Sequence, residues 1–532
     1  MGRAPRDDRA QGLSEFVQRL PAAIEAAKAR FEQETLMLAR APRGFAAGFA
    51  AARTRLLAPV DGAEHEASVR GTAELSRAVR DARQVVDEVL SETLADPALL
   101  RTLERDAPEG PQWLQLRRDF EDAGARLDLS HRRRLPALDR ALRQQTRAFS
   151  DHAATGPSAL VVRARLRAQT STQQREHTWA AFHNHASAAA HLPLEILRLR
   201  AERARLLGFP NYAAWVRRDA VGPEHTSGWL ETMAQAARAH TKTPSSPAPW
   251  DRHTTAEPTP GLALRRDVVV EKLRTLLQGL VPSARVEFDV TPRPGKRPGA
   301  WTHVPLAAQA AITICASLPG ELDLAGLRTL LHEVGHAAEA LTAPGGLRLA
   351  PNALEFSSTM LEPFTWHAPT VAELAEQEVD QRVLSEARRA RWGGPALRQL
   401  ALAYADRALH TEFNPNTDGS PLPWARRVYE QIEGTPRDPR DATVATHMHL
   451  FAHPHGYAAR YETYPLGDAL AEHRWAHGPH SLAATLSALR STLWTPQGRS
   501  DPLGALSRLT GAVASPAAFV RAAGGRPSSA RD

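Results

Sequence analysis

Residues 323–341, DLAGLRTLLHEVGHAAEAL, can bury themselves in only one way. On a helix turning 100° per residue, Leu327, Leu330, Leu331, Val334, Ala338 and Leu341 fall on one side, and His332, His336 and Glu339 fall on the other. The spacing predicts a helix with Asp323 at the N-cap and Pro344-Gly345-Gly346 past its end. The rest of the chain must supply a core for the inner face and leave two imidazoles, one turn apart, facing a common space. A helix with a solvated polar face satisfies this pattern. So does a metal centre, in which both rings reach one tetrahedral Zn²⁺ and Glu333, on the flank, acts as general base on a zinc-bound water. With 22 His in 532 residues, a chance H-E-x-x-H has a probability of about 0.05, so a third ligand has to be found.

Composition narrows where to look. The one cysteine, Cys315, excludes an intramolecular disulfide and a cysteine cage, so a metal must be held by His and carboxylate. A single cysteine fits a reducing compartment, and the first residues, MGRAPRDDRAQGLSEF, carry no apolar signal core. The expectation is a cytoplasmic chain. No stretch is apolar enough for a membrane span. Net charge is +7, and its arginines are interspersed with Glu and Asp rather than clustered with aromatics, so a nucleic-acid partner is not expected.

Most of the chain has helical periodicity. LSEFVQRLPAAIEAAKARFEQETLMLARA, TAELSRAVRDARQVVDEVLSETLA and HRRRLPALDRALRQQTRAFSDHA lie in an N-terminal helical region, 1–157. HTWAAFHNHASAAA and LPLEILRLRAERARLLGFPNYAAWVRRD follow, the latter interrupted at Gly208 and Pro210, in a second region, 158–525. Pro, Ser and Thr make 243–261 a loop, and 526–532 reads as a tail. RVEFDVT (285–291) alternates Val286, Phe288 and Val290 on one face, and AITICASL (311–318) is a second strand-type run. The fold class is mostly α (α+β), with a small sheet beside the histidine helix.

Two further constellations bear on the histidines. In NALEFSSTMLEPF (352–364) Glu355 and Glu362 are two helical turns apart. An exposed carboxylate pair on a surface helix explains them. Alternatively, Glu355 is the third ligand and Glu362 orients a ligating imidazole through its other N–H. In HMHLFAHPHGYAARYETYPLG (447–467) three of the six tyrosines, Tyr457, Tyr461 and Tyr464, occur within eight residues, preceded by four His. A core aromatic stripe accounts for that pattern. So does a set of phenol and imidazole donors for the negative charge that develops on a carbonyl oxygen under attack.

Taken together, these segments resemble the zinc metallopeptidase family of thimet oligopeptidase, oligopeptidase A and dipeptidyl carboxypeptidase. The resemblance extends to GKRPGAW (295–301), to ITICASLP as the edge strand before the zinc helix, to LEFSSTMLEPF, to LPLEILRLRAERARLLGFPNYAAW and to DAGARLDLSHRRRL. It covers most of 110–525, discontinuously. It implies a large helical, cleft-bearing zinc-peptidase fold with one Zn²⁺ per chain, held by His332, His336 and Glu355. Glu333 is then the general base and Glu362 the outer carboxylate. Tyr457, Tyr464 and a histidine become donors to substrate and oxyanion. His453 fits the local F-x-H context, one residue short of the family spacing to Tyr457, with His449 and His455 as rivals. Tyr461 joins the substrate-binding set, as does Ile314, because a peptide would lie along 311–317 as an added strand.

The chain departs from the family pattern in having Glu339 where a third His often stands, a shortened stretch between Trp215 and Gly295, and Pro-Leu-Gly after Tyr464. These bear on substrate preference rather than on metal chemistry. The expected activity is hydrolysis of short oligopeptides by a monomer or weak homo-oligomer. The rivals are a specialised biosynthetic hydrolase acting on one peptide or natural-product precursor, and an inactive peptide-binding relative.

Overall fold

The periodic stretches form helices where apolar residues recur at three and four, and most of the molecule is built from them. The computed structural model describes residues 7–41, 43–106, 110–220, 223–241, 248–251, 262, 264–306, 310–343, 353–478 and 480–524. Most of the expected loop at 243–261, the Pro344-Gly345-Gly346 stop and the 526–532 tail lie outside these residues. The chain divides into two compact units, Met1–Pro136 with Leu277–Gly320, and Ala137–Leu276 with Glu321–Asp532.

The first unit begins with three long helices, α1 (Asp7–Arg40), α2 (Phe45–Arg70) and α3 (Ala73–Leu94). Thr72 caps α3 by accepting from the Leu75 amide, and Leu75, Val79, Val86 and Leu90 bury one stripe. Phe49 sits at the centre of the core, stacked on Phe45 at 5.5 Å and within 5.7 Å of Phe31 and 5.4 Å of Phe120. Gly71 ends α2 with φ 60° against Gly295, whose carbonyl oxygen would lie 1.7 Å from a Cβ placed at residue 71. No side chain fits there.

The same unit holds a three-stranded sheet of β1 (Val286–Asp289), β2 (Ala300–His303) and β3 (Ile312–Ala316) in the order β1-β3-β2. β3 pairs in parallel with β1, Val286 opposite Ile312, and antiparallel with β2, Trp301 opposite Cys315. The expectation that ITICASLP is an edge strand is therefore corrected. β3 is central and buried along its whole length, with both backbone edges already paired, so it cannot take a peptide as an added strand. Ile314, fully buried between Phe288 and Thr302, is a core residue rather than a substrate contact. Sequence identified the strands but not which would be flanked, because GKRPGAW supplies the strand that closes the second edge. Lys296 of that segment buries its ammonium among oxygens at the shared C-terminal end of the parallel strands β1 and β3: Asp289 O at 2.6 Å, Asp289 Oδ1 at 3.0 Å, Thr291 O at 3.2 Å and Ala316 O. It is a staple.

The second unit is helical. Its elements include α4 (His191–Leu206), α5 (Leu324–Thr342), α6 (Phe356–Thr359), α7 (Gly394–Thr411) and α8 (Thr463–His477). A short ladder, Leu264–Arg265 against Glu321–Leu322, leads directly into α5. The two-turn helix expected to carry both Glu355 and Glu362, ending at Pro363, is not formed. α6 is a single turn, followed by a 3₁₀ turn, Glu362–Trp366. Pro363 forbids helical continuation through residue 362, and the hydroxyls of Ser358 and Thr359 fold back onto the Glu355 carbonyl at 2.9 and 2.7 Å.

Candidate metal centre

The α5 helix is launched by Asp323, whose Oδ1 accepts from the Gly326 amide at 2.7 Å. Leu327, Leu330, Leu331, Val334 and Ala338 are fully buried beneath it. That anchoring turns His332 and His336 outward, with ring centroids 5.0 Å apart and side chains 18% and 26% exposed. Glu355, at the start of α6, meets them with a carboxylate only 1% exposed. Its Oε2 lies 3.1 Å from the Nε2 of each imidazole. The ligand atoms of His332, His336 and Glu355 all fall within 4.8 Å of one another.

Glu355 is held from several directions. Oε2 accepts from Ser358 Oγ at 2.8 Å, Oε1 accepts from the Tyr457 hydroxyl at 2.6 Å, and its backbone amide donates to Thr463 Oγ1 at 2.9 Å. His332 Nδ1 donates to Glu362 Oε1 at 2.8 Å, which fixes the ring and directs Nε2 toward Glu355. The other oxygen of Glu362 lies 3.7 Å from Arg328 and 4.0 Å from Arg391, and Arg391 reaches on to Asp468 at 3.3 Å. Despite their separation by a broken helix, Glu355 and Glu362 thus bracket one imidazole.

The electrostatics follow from this packing. Burial disfavours the charged form of His332, but hydrogen bonds to Glu355 and Glu362 outweigh it and hold the ring well above its usual pKa. His336 is raised in the same way by Glu355. Glu355, although buried, is held well below the carboxylate range by His336 and His332. Burial, against the pull of Arg391 and helped by the charge of Glu362, pushes Asp468 up to about 7. Two imidazoles converging on a buried carboxylate, one of them braced from behind by a second acid, make a donor set that fits a divalent zinc. Glu333, 5% exposed, lies close enough for its charge to raise both His336 and Tyr457.

The tyrosine segment sorts its members. Tyr457 and Tyr464 stack at 5.6 Å, and burial, then the charge of Glu355, raises the pKa of both phenols. Tyr461 is buried and donates to Gln399 Oε1 at 2.9 Å, so its hydroxyl serves the packing of the segment. Of the three rival histidines, the structure brings His449 to the tyrosines, 5.3 Å from the Tyr457 ring and 6.3 Å from that of Tyr464. His453, preferred from its local context, is exposed and engages through its carbonyl, which accepts from Arg200. His455 takes a hydrogen bond from the Tyr212 hydroxyl at 3.1 Å and packs on Trp215. Glu339 is paired with Arg499 at 2.6 Å. Ser358, Thr463 and Arg391 were missed in the sequence. Only Ser358 had a signal, three residues after Glu355.

A buried H-E-x-x-H helix with a later carboxylate on its outward face, in an otherwise helical chain, is the fold of helical zinc peptidases. Residues 282–527 match the model of peptidase family M3, and this part of the chain is a peptidase family M3 domain. Organellar oligopeptidase A of Arabidopsis thaliana is 28% identical over 251 residues, 40% of this chain and 31% of the relative. A mitochondrial intermediate peptidase of Pyricularia oryzae is 30% identical over 175 residues, 30% of this chain and 21% of the relative. The matched stretch thus spans less than a third of either relative. Among solved structures, PZ peptidase A with inhibitor 2 superposes with a TM-score of 0.66 at 15% identity, covering 96% of each chain. The M32 carboxypeptidase of Deinococcus radiodurans R1 follows at 0.58 and 14%, covering 93% of this chain and 97% of its own. At such identities the likeness establishes the fold.

Proposed function

We propose that this chain is a zinc-dependent metallopeptidase that hydrolyses peptide bonds of short oligopeptides. The observation that carries the reading is the meeting of His332 Nε2, His336 Nε2 and Glu355 Oε2 at one point on the outward face of α5, within the electrostatic reach of Glu333. When bound there, zinc supplies Lewis acidity, polarising a carbonyl and bringing the pKa of water toward 7.

The residues of the chain do the rest. Glu362 fixes the His332 ring through Nδ1 and leaves Nε2 as the ligand atom. Glu333 takes the proton of the attacking water and returns it to the leaving amine nitrogen. The Tyr457 and Tyr464 hydroxyls, with His449 beside them, donate to the carbonyl oxygen as negative charge grows on it, an effect worth a few kcal/mol per donor. Because Tyr457 already donates to Glu355, it turns from ligand to substrate as that charge develops.

The partner is a short peptide. Among the described residues no helix is long and apolar enough to cross a membrane. Metal analysis of the purified chain, combined with mass spectrometry of digests of unrelated short peptides, tests the proposal. One zinc per chain and cleavage of several peptides are expected. Zinc near zero, or a panel left intact by zinc-loaded protein, would overturn the general peptidase.

A further inference from the structure

The turn carrying the tyrosines, 452–462, has no helix or strand ladder to hold it, yet it must present Tyr457 to Glu355 within hydrogen-bond distance. Two of its residues adopt left-handed backbone conformations, Gly456 at φ 40° and Ala459 at φ 58°. For alanine that conformation is strained and persists only where surroundings enforce it.

The enforcement comes from three buried polar side chains on α4 and α7. Asp406, 1% exposed, accepts from the Ala459 amide through Oδ1 at 2.8 Å and from the Tyr461 amide through Oδ2 at 3.0 Å. One carboxylate therefore grips the backbone on both sides of Arg460. Arg200, fully buried, donates through Nη2 to the His453 carbonyl at 2.8 Å and through Nε to the Pro454 carbonyl at 3.0 Å. His410 joins the two. Its Nδ1 donates to the Asp406 carbonyl at 2.8 Å and lies 3.1 Å from Asp406 Oδ1, while Nε2 faces Arg200 Nη1 at 3.2 Å. Arginine can only donate, so Nε2 is the lone pair and the ring is the Nδ1–H tautomer. The hydrogen bonds of this trio run to the turn's main chain or to one another. Ala458 and Ala459 then pack on Tyr212, Ala213, Trp215 and Val216.

We propose that Asp406, His410 and Arg200 form a buried clamp that positions the tyrosine turn for the reaction at the metal centre. They are positioning residues, acting through the main chain of 453–461, and the proposal rests on the peptidase reading above. A carboxylate suits the task because two amides need two acceptors in fixed relation, and an amide side chain offers only one.

Hydrogen exchange of the full-length chain tests the clamp directly. In the parental protein, the Ala459 and Tyr461 amides are expected to exchange at least a hundredfold more slowly than free amides, although neither belongs to a helix or strand. Exchange at the free rate would overturn the proposal before any variant is made. In Asp406→Asn, exchange across 457–461 should rise at least tenfold, while exchange in α5 and the zinc content stay at parental levels. Peptide turnover should then fall at least tenfold in kcat with little change in KM, since the lost donors act on the transition state. Unchanged exchange in a folded variant, or faster exchange with parental kcat, overturns it. If the variant loses protection in α5 as well, the parental exchange measurement decides. A parental protein that cuts no peptide instead sinks the peptidase reading, and its exchange data still report on the clamp.

Discussion

At the scale of single residues, Glu355 and Glu333 are both acids almost removed from water, yet they are held for opposite purposes. Glu355 accepts from Ser358 and Tyr457 and faces both imidazoles, so its position is over-determined, as a ligand's must be. Glu333 stands beside that cluster, where the proposed mechanism makes it the proton carrier. Glu333→Gln is therefore expected to keep its zinc, read by metal analysis, while kcat falls by roughly 10²–10⁴-fold; parental turnover would remove the residue from the mechanism. Tyr457→Phe deletes one hydroxyl and is expected to cost about 10²–10³ in kcat. Equal loss in zinc content would mean that the phenol serves Glu355 alone. The pairing of His332 with His336 was legible because helical spacing fixes which side chains share a face. The loop histidine was not. Positive φ at Gly456 and Ala459 redirects the chain, so counting from Tyr457 cannot tell which ring turns toward it. Thr463 was hidden too, because nothing in the spacing of a residue 108 positions from Glu355 shows that its hydroxyl accepts from the Glu355 amide.

At the scale of elements, the centre depends on close approach. A Cβ at Gly335, between the two histidines on α5, would lie 2.6 Å from the Ser357 carbonyl oxygen and 2.6 Å from Ser358 Cα. On α8, a Cβ at Gly467 would lie 2.6 Å from Thr359 Oγ1 and 3.3 Å from the Glu355 carbonyl oxygen. The glycines let α5 and α8 close on α6 from two sides and so set the distance from Glu355 to the imidazoles. The obstacle at Gly335 is backbone and cannot rotate away. Gly335→Ala should lower stability by about 1–3 kcal/mol and weaken zinc binding, because relief requires moving α6. Denaturant melts and zinc titration check both, and a variant with parental values for each would show that α6 yields freely. Long amphipathic helices were readable from periodicity alone. The broken segment after Glu355 was not, since seven-residue spacing describes two turns of helix equally well whether or not Pro363 allows them. β3 likewise betrays nothing of its neighbours, because strand pattern records burial and not pairing.

At the scale of the whole molecule, protons would compete with the proposed zinc for the same atoms. In the metal-free chain Glu355 is depressed below its ordinary 4.5, so its contribution is present above that value and is lost as pH falls through the lowered one. His332 is raised above its ordinary 6.5, so its contribution is complete below that value and is lost as pH rises through the elevated one. The stability difference between the parental chain and Glu355→Gln, both metal-free, should thus be largest between pH 4.5 and 6.5. Zinc affinity should instead increase with pH, because the metal displaces the imidazole protons. Thermal melts across pH with and without chelator measure both, and a flat difference would show that the three groups do not interact as their distances imply.

The division of the chain into discontinuous units bears on how it is made. Helices α1 to α3 share a unit with strands that begin only at residue 286, after all of 137–276 has been translated. At ~5–20 residues per second, the early helices wait on the ribosome for roughly ten to thirty seconds before their sheet arrives. Nascent chains stalled before residue 277 should be cut readily by protease within 1–136, and chains stalled well beyond 320 should resist. The histidine helix follows that sheet immediately in sequence, so the synthesis of the segment carrying the candidate ligands begins just as the waiting ends.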